Sequence, residues 1–250
     1  MVFKLKENTL ILQRLYKDYV RYVEEISLIE ENYLWENVSV YVDDSRSIHD
    51  FLVLREGRSL SAYMTAENMS IVPKFAEILK AKRDFRTHLQ TSTEAEPCIK
   101  QFVRWLCNTY TVRYCRADFK TFNPHCLHKG NAIRLTPDNI RRLQPSASLH
   151  FIKRVKTALV YGYVDEKGEL VATSGVGFLT KKSFAISYTE TEPEHRNRGI
   201  AKWLTSLASE PLINKGLVGV YAADVTNEPS LKVARVLGFL PYQDLKCFHN

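Results

Sequence analysis

The sequence predicts an α/β (α+β) protein in which one order of elements occurs twice. Segments with apolar residues at helical spacing alternate with short runs rich in Val, Ile, Tyr and Phe. Both halves follow the order helix, strands, helix, strand, helix, strand, although they share almost no residue identity. Eight of the ten glycines lie after residue 160, so close backbone approaches are predicted mainly in the second half.

The first half opens with a helical pattern that leads into a three-strand meander. Pro73 and Pro97 fall in the first turns of the next two helices, where a missing N–H is tolerated. The predicted elements are a helix at Leu5–Leu28, strands at Val38–Val42, Phe51–Leu54 and Ser59–Met64, a helix at Ile71–Lys82, a strand at Phe85–Gln90, a helix at Glu94–Asn108 and a strand at Thr111–Phe119.

Residues 122–130 contain Asn-Pro and Gly and are predicted to link two domains, 1–122 and 131–250. In the second domain, Thr136 is placed as the N-cap of a short helix, with Pro137 in its first turn. The helix ends near Leu143, and the later elements are strands at Ala158–Val164, Leu170–Phe178 and Phe184–Thr191, a helix at Ile200–Lys215, a strand at Gly219–Ala223, a helix at Pro229–Leu237 and a strand at Leu240–Phe248.

Composition excludes several classes of protein. The chain of 250 residues has no apolar run of about eighteen residues and no signal-peptide core, so we expect a soluble, cytoplasmic protein without a membrane partner. Its five cysteines include no Cys-x-x-Cys pair, which argues against a disulfide framework. His125, Cys126 and His128 could be metal ligands together with Cys115, but their irregular spacing favours a loop, and no metal is expected.

The net charge of +7 raises the question of nucleic-acid binding. The cationic residues are scattered over several segments, and no recognition motif accompanies them. Strongly salt-dependent duplex binding would be the mark of that function. Solvated helix faces and a phosphate site explain the charge more simply, so no nucleic-acid partner is expected.

One turn carries a clear chemical signal. A β-favouring run, residues 183–191, leads into Thr191-x-Pro193 and then into Arg196-Asn197-Arg198-Gly199-Ile200-Ala201-Lys202, where a helical pattern begins. The first N–H groups of a helix lack internal partners and, with the helix dipole, favour an anion. Small residues and three cations stand at this position, so the turn should hold a pyrophosphate.

The pattern Arg-x-x-Gly-x-Ala at 196–201 resembles the acyl-CoA signature of the GNAT N-acetyltransferases, and neither a P-loop nor a Gly-x-Gly-x-x-Gly motif is present. A second segment strengthens the resemblance, because Asn227, Ser230, Gly238 and Phe239 match the family's last strand-helix unit in order and distance. The resemblance implies a mixed, mostly antiparallel sheet flanked by helices. It implies two tandem copies similar to the glycine N-acyltransferase-like branch, the first of them degenerate; for the first half, an unrelated α+β substrate domain is the alternative.

What the resemblance implies about ligands is specific. Acetyl-CoA would be the acyl-donor cosubstrate and a primary amine the acceptor. Pantetheine would pair with the backbone of Thr189, Glu190 and Thr191, and Asn227 and Ser230 would contact it. The pyrophosphate would lie on the Arg196, Asn197, Arg198, Gly199, Ile200, Ala201 and Lys202 segment. Thr191 replaces the family's usual Val, which backbone pairing permits.

The catalytic groups are harder to assign, because Ala234 and Ala222 occupy positions where relatives carry a Tyr acid or a Glu base. Tyr188, Glu190, Glu192, Asp224 and Tyr221 remain within reach. We predict Glu190 as the general base and Tyr188 as the weaker candidate for the acid. Two interpretations follow: an N-acetyltransferase, or a CoA-binding regulatory protein that has lost catalysis. A monomer is slightly favoured over a homodimer, because tandem copies could bury the sheet edges.

Overall fold

The structure is a computed structural model that describes residues 2–30, 37–126, 131–144, 147–148, 151–152, 155–156 and 158–250. The chain forms two compact units. One contains the residues up to Arg113 together with Gln243–Asn250, and the other is Tyr114–Tyr242. No helix among the described residues is long and apolar enough to cross a membrane.

The first unit has the following elements: β1 (Phe3–Lys4), α1 (Thr9–Leu15), α2 (Val23–Glu30), β2 (Val38–Val42), β3 (Phe51–Glu56), β4 (Leu60–Thr65), α3 (Val72–Lys80), β5 (Thr87–Ser92), α4 (Glu96–Phe102) and the start of β6 (Asn108–Ala117). Strands β1 to β4 form an antiparallel meander, and β4 then pairs with β5 in parallel. The core is made by the inner faces of these strands and by α3 and α4, with Phe75, Leu89 and Ile99 fully buried.

The second unit has these elements: the end of β6, β7 (Asn131–Arg134), α5 (Pro137–Leu143), β8 (Val160–Val164), β9 (Leu170–Leu179), β10 (Ser183–Thr191), α6 (Ile200–Ile213), β11 (Val218–Asp224), α7 (Glu228–Val236) and the start of β12 (Leu240–His249). Strands β7 to β10 are antiparallel, and β10 pairs with β11 in parallel. Each unit therefore has a mixed, mostly antiparallel sheet flanked by helices, as predicted.

The last strand of each unit comes from an unexpected part of the chain. In the first unit β5 is followed by β12, whose residues 245–249 pair with residues 88–92. In the second unit β11 is followed by β6. The division between the units thus falls at Arg113 and again at Tyr242, whereas the sequence placed it in the segment 122–130.

Most predicted elements are present, with ends that differ by at most three residues, but two helices are wrong in extent. The pattern at Leu5–Leu28 is not one helix, because α1 ends at Leu15 and α2 begins at Val23. The Asp18 carboxylate accepts the Arg21 N–H, which is a local bond that competes with a continuous helix. The helix expected to reach Asn108 ends at Phe102, and the short strands β1 and β7 were missed.

Candidate functional site

The parallel strands of the second unit diverge and leave an open edge. Ser183–Ile186 pair with Val218–Tyr221, and the described register goes no further. On its other side β10 has a register shift between Ser187 and Glu190, which is a β-bulge that bends the strand. In the first unit, by contrast, Leu60–Met64 pair with Thr87–Thr91 without interruption.

Backbone direction along the open edge follows from one hydrogen bond. The Glu192 N–H donates to Val171 O on β9, at 2.8 Å. Because neighbouring residues of an antiparallel strand direct their N–H and C=O to opposite edges, Glu190 also faces β9. The polar backbone groups of Thr191 therefore face the open side, whereas Thr189 lies within the bulge, where strict alternation does not apply. Of the three backbone contacts predicted for pantetheine, the alternation thus favours Thr191 and disfavours Glu190.

A cavity of about 950 Å³ occupies this region of the second unit. Every predicted CoA contact lines it except Arg198, which is exposed outside the lining. The cavity also includes the Tyr221 phenol and the Phe151 and Ser148 side chains from the segment after α5. The strand edge, the basic turn and the start of α7 thus converge on one space.

The turn before α6 has a backbone that presents N–H groups. Gly199 is the N-cap of α6 with φ +81°, a left-handed conformation, and Asn197 has φ +61°. The first helical bond of α6 runs from the Trp203 N–H to Gly199 O, so the N–H groups of residues 200–202 have no partner within the helix. Arg196 Nε donates to Thr191 O at 3.0 Å and ties the turn to the strand.

Two buried polar atoms in the lining have no hydrogen-bond partner among the described residues: His195 Nδ1 and Thr191 Oγ1. His195 Nε2 lies 3.8 Å from Asp165 Oδ2. The Glu169 N–H holds the pKa of Asp165 below its usual value, and the Lys167 N–H and the charge of a protonated His195 act in the same direction. His195 thus lies near a carboxylate, and its Nδ1 has no hydrogen-bond partner among the described residues.

The start of α7 is fixed by its cap. The Asn227 carboxamide oxygen accepts the Ser230 N–H at 3.2 Å, which makes Asn227 the N-cap. The Ser230 hydroxyl is 3.0 Å from the Tyr221 hydroxyl. Both predicted residues thus lie at the cavity, although part of their polar capacity serves the helix end.

From the sequence, Tyr221 was only one of several groups within reach of the site. It belongs to the last pair before β10 and β11 diverge, and 2% of its surface is exposed. Its hydroxyl bonds to Ser230 and to the side chain of Thr189, which in turn bonds to Ser174 at 3.0 Å. Burial raises the pKa of Tyr221 above its usual value, so the phenol stays protonated at neutral pH. In the sequence, the only indication of its position was that it lies on β11, the strand that follows the basic turn and α6.

Of the predicted base and acid, only Glu190 has a described side chain. Glu190 lines the cavity and is exposed. The backbone of Tyr188 lies at the bulge, but its side chain is outside the described part of the structure. Ala234 is fully buried in the core, and Ala222 is partly buried. Neither position therefore carries an ionisable side chain.

A metal centre receives no support from the described residues, among which no three His, Cys, Asp or Glu side chains are grouped to hold an ion. His128 lies outside them, so the expectation for this loop stays a prediction. The backbone N–H of His125, in the same segment, donates a hydrogen bond to the Ser206 hydroxyl oxygen at 2.8 Å.

Comparison with known proteins identifies the family. The family model of the acetyltransferase (GNAT) family matches residues 103–239, which is more than half of the chain. Among curated proteins, no sequence matches this chain significantly.

Solved structures agree on the fold. A Drosophila protein is similar with a TM-score of 0.71 at 11% identity, over 99% of this chain and 97% of that one. A GCN5-related N-acetyltransferase-like protein from Streptococcus suis gives 0.63 at 16% identity, over 96% and 97%. A tandem GNAT protein from the clavulanic acid biosynthesis pathway gives 0.62 at 14% identity, over 100% and 98%. At these identities the similarity concerns the fold alone.

Proposed function

Since this chain belongs to the acetyltransferase (GNAT) family, we propose that it transfers an acetyl or short acyl group from acyl-CoA to a primary amine. The observation that carries the proposal is the convergence of an open strand edge with an unsatisfied helix N-terminus on one cavity. The acceptor would be a small molecule, an amino acid or a peptide N-terminus. The fold alone does not select this chemistry, so the proposal rests on the geometry of the site.

The residues present fit acyl-CoA. The turn at 196–202 offers unpaired N–H groups and the cations Arg196 and Lys202 to a pyrophosphate, and His195 Nδ1 can donate to the same group. The Thr189 and Thr191 backbone can pair with an extended amide chain in the manner of an added strand. Such a ligand would provide hydrogen-bond partners for His195 Nδ1 and for the first N–H groups of α6, which have none within the helix.

The proposed reaction also requires two proton transfers, one from the amine and one to the departing sulfur. Acyl-CoA supplies an activated thioester carbonyl. A backbone N–H on the cleft side of β10 can polarise that carbonyl. Glu190, acting directly or through water, takes a proton from the attacking amine, so that the new C–N bond forms as the C–S bond breaks. The Tyr221 hydroxyl gives its proton to the departing sulfur. Tyr188, first predicted for this role, stays a second candidate.

Ligand-dependent thermal stability tests the binding site. A ligand that binds only the folded state raises the unfolding midpoint, so acetyl-CoA should stabilise the native chain. Gly199→Glu puts a side chain and a negative charge at the pyrophosphate position and should abolish the rise. Gly216→Glu is the matched control, because Gly216 also has a positive φ (+85°) with nothing near its Cβ position and lies outside the cavity. No rise in the native chain at millimolar acetyl-CoA would contradict the proposal.

A CoA-binding regulatory protein is the second candidate, and Ala222 and Ala234 are the observation that favours it. Release of free thiol from acetyl-CoA with a panel of primary amines separates the two. A regulatory protein would gain thermal stability from CoA without releasing thiol above the rate without protein. An enzyme would show both.

We further infer that the first unit is a tandem copy that does not bind CoA. Its pairing order, an antiparallel meander followed by one parallel pair, matches that of the second unit. Its β4 and β5 stay paired where β10 and β11 separate, so no open edge exists there for pantetheine. Removing the second unit's site with Gly199→Glu should therefore remove all CoA binding.

A further inference from the structure

We propose that the first unit has its own binding site for a small phosphate-bearing molecule. A concave region of about 520 Å³ lies where β4 and β5 begin and β12 ends. It is lined by the guanidinium groups of Arg58 and Arg86, the imidazoles of His88 and His249, and the polar side chains of Ser59, Thr87 and Tyr110. The lining contains cations and hydroxyl groups and no carboxylate. This proposal does not depend on the transferase activity.

Strand pairing brings these side chains together from distant parts of the sequence. Leu60 pairs with Thr87, and its N–H donates to Arg86 O at 2.8 Å, which places Arg58 and Arg86 at adjacent strand starts. On the other side of β5, His88 pairs directly with His249. The two histidines are therefore held by sheet backbone, and the two arginines lie just before β4 and β5, where the pairing of Leu60 with Thr87 brings them close.

The electrostatics of this region favour an anion. Burial, with the added charge of His249 and of Arg55, lowers the pKa of His88. Its Nε2 is 2.7 Å from the Tyr110 hydroxyl, so the ring is held in place. Glu56 and Asp84 each lie two residues from one of the arginines, but Glu56 is engaged by Lys82 at 2.9 Å and neither carboxylate lines the concave region. The two guanidinium groups in the lining repel each other, and a bound oxyanion would remove that repulsion.

The class of ligand follows from the donors. Arginine forms paired hydrogen bonds to phosphate and carboxylate, and two guanidinium groups on neighbouring strands suit a doubly charged group better than a single carboxylate. Extended CoA does not fit the same argument, because β4 and β5 offer no open backbone edge. A phosphomonoester or a diphosphate of modest size is the expected ligand.

Calorimetric titration with inorganic pyrophosphate tests the site. The full chain carrying Gly199→Glu is used as the background, so that the turn before α6 does not contribute. In this background we expect saturable binding that Arg58→Gln and Arg86→Gln each weaken by roughly tenfold or more, since each loses a charged hydrogen bond. Arg83→Gln is the matched control: Arg83 is exposed and lies outside the concave region. It should leave the affinity unchanged.

Three results would overturn the proposal. One is the absence of saturable binding in the Gly199→Glu background. The second is equal weakening by Arg83→Gln, which would mean diffuse attraction to a basic surface. The third is binding that survives both Arg58→Gln and Arg86→Gln. Arg58 and Arg86 are exposed, so their variants should fold, and an unchanged thermal midpoint without ligand verifies this.

Discussion

In the proposed mechanism, the Tyr221 hydroxyl supplies the proton from a strand instead of from the last helix. Relatives with a Tyr on the last helix would place it at Ala234, whose side chain here is packed in the core. The Tyr221 ring instead starts on β11 and its hydroxyl reaches Ser230 at the start of α7. The acid predicted to be missing from the helix is thus available from the strand.

Replacing Tyr221 should slow catalysis more than it weakens binding. Tyr221→Phe keeps the ring and removes the proton, so kcat should fall by roughly a hundredfold while KM for acyl-CoA changes little. Tyr188→Phe is the matched control and tests the competing acid. Steady-state thiol release measures both variants. A large loss in Tyr188→Phe with a normal Tyr221→Phe would assign the proton to Tyr188.

Glu25 is a buried carboxyl group outside the proposed site. Burial, with repulsion from Glu24, raises its pKa from 4.5 to about 8. Its Oε2 has no hydrogen-bond partner among the described residues. The folded state therefore keeps a proton that the unfolded chain loses above pH 4.5. Protonated Glu25 therefore makes its full contribution to the free energy of unfolding below pH 4.5, and this contribution is lost progressively as the pH rises to about 8.

We expect Glu25→Gln to become progressively more stable than the native chain as pH rises from 5 to 8. The difference in unfolding free energy should change by about 1.4 kcal/mol per pH unit, because Gln mimics the protonated acid and does not titrate. Urea unfolding at several pH values measures it. Glu77→Gln, at an exposed carboxylate near Lys80, should show no such slope. An equal slope in both variants would contradict the assignment.

At the scale of elements, the turn and helix at 191–213 could be predicted because their signals are local. Gly199 at a left-handed N-cap and the apolar spacing after it depend on neighbours within a few residues. The opening helix was predicted wrongly because apolar spacing continues through residues 16–22. The Asp18 side-chain bond that interrupts it has no signature in hydrophobic periodicity.

The end of α7 depends on Gly238. This residue has φ +79°, and a Cβ added there would lie 1.8 Å from Thr121 O. Gly216, which follows α6, has φ +85° with nothing within 4 Å. Gly238→Ala and Gly216→Ala should both cost about 1–2 kcal/mol for the backbone conformation. Only Gly238→Ala should cost roughly a further 1–3 kcal/mol or more from the clash. Chemical denaturation compares the pair, and equal costs would contradict this account.

At the scale of the whole molecule, the repeated element order and the turn before α6 were predictable, whereas the pairing partners of β6 and β12 were not. Both strands were recognised from their own residues, such as Tyr114 and Phe248. Which strands lie beside them depends on pairing between segments far apart in sequence, and an alternating apolar pattern does not specify the strand with which it pairs. For the same reason the proximity of Arg58, Arg86 and His249 could not be predicted before the register was known.

The C-terminal strand should therefore stabilise the first unit. Phe248 is fully buried in that unit's core, and residues 245–249 pair with β5. Phe248→Ala should cost about 3–5 kcal/mol, because it leaves a cavity there. Hydrogen exchange would show the loss of protection in β5. Tyr242→Ala, at an exposed ring a few residues earlier, is the control and should leave β5 protected. If Phe248→Ala left exchange in β5 unchanged, residues 243–250 would not belong to the folding unit assigned to them.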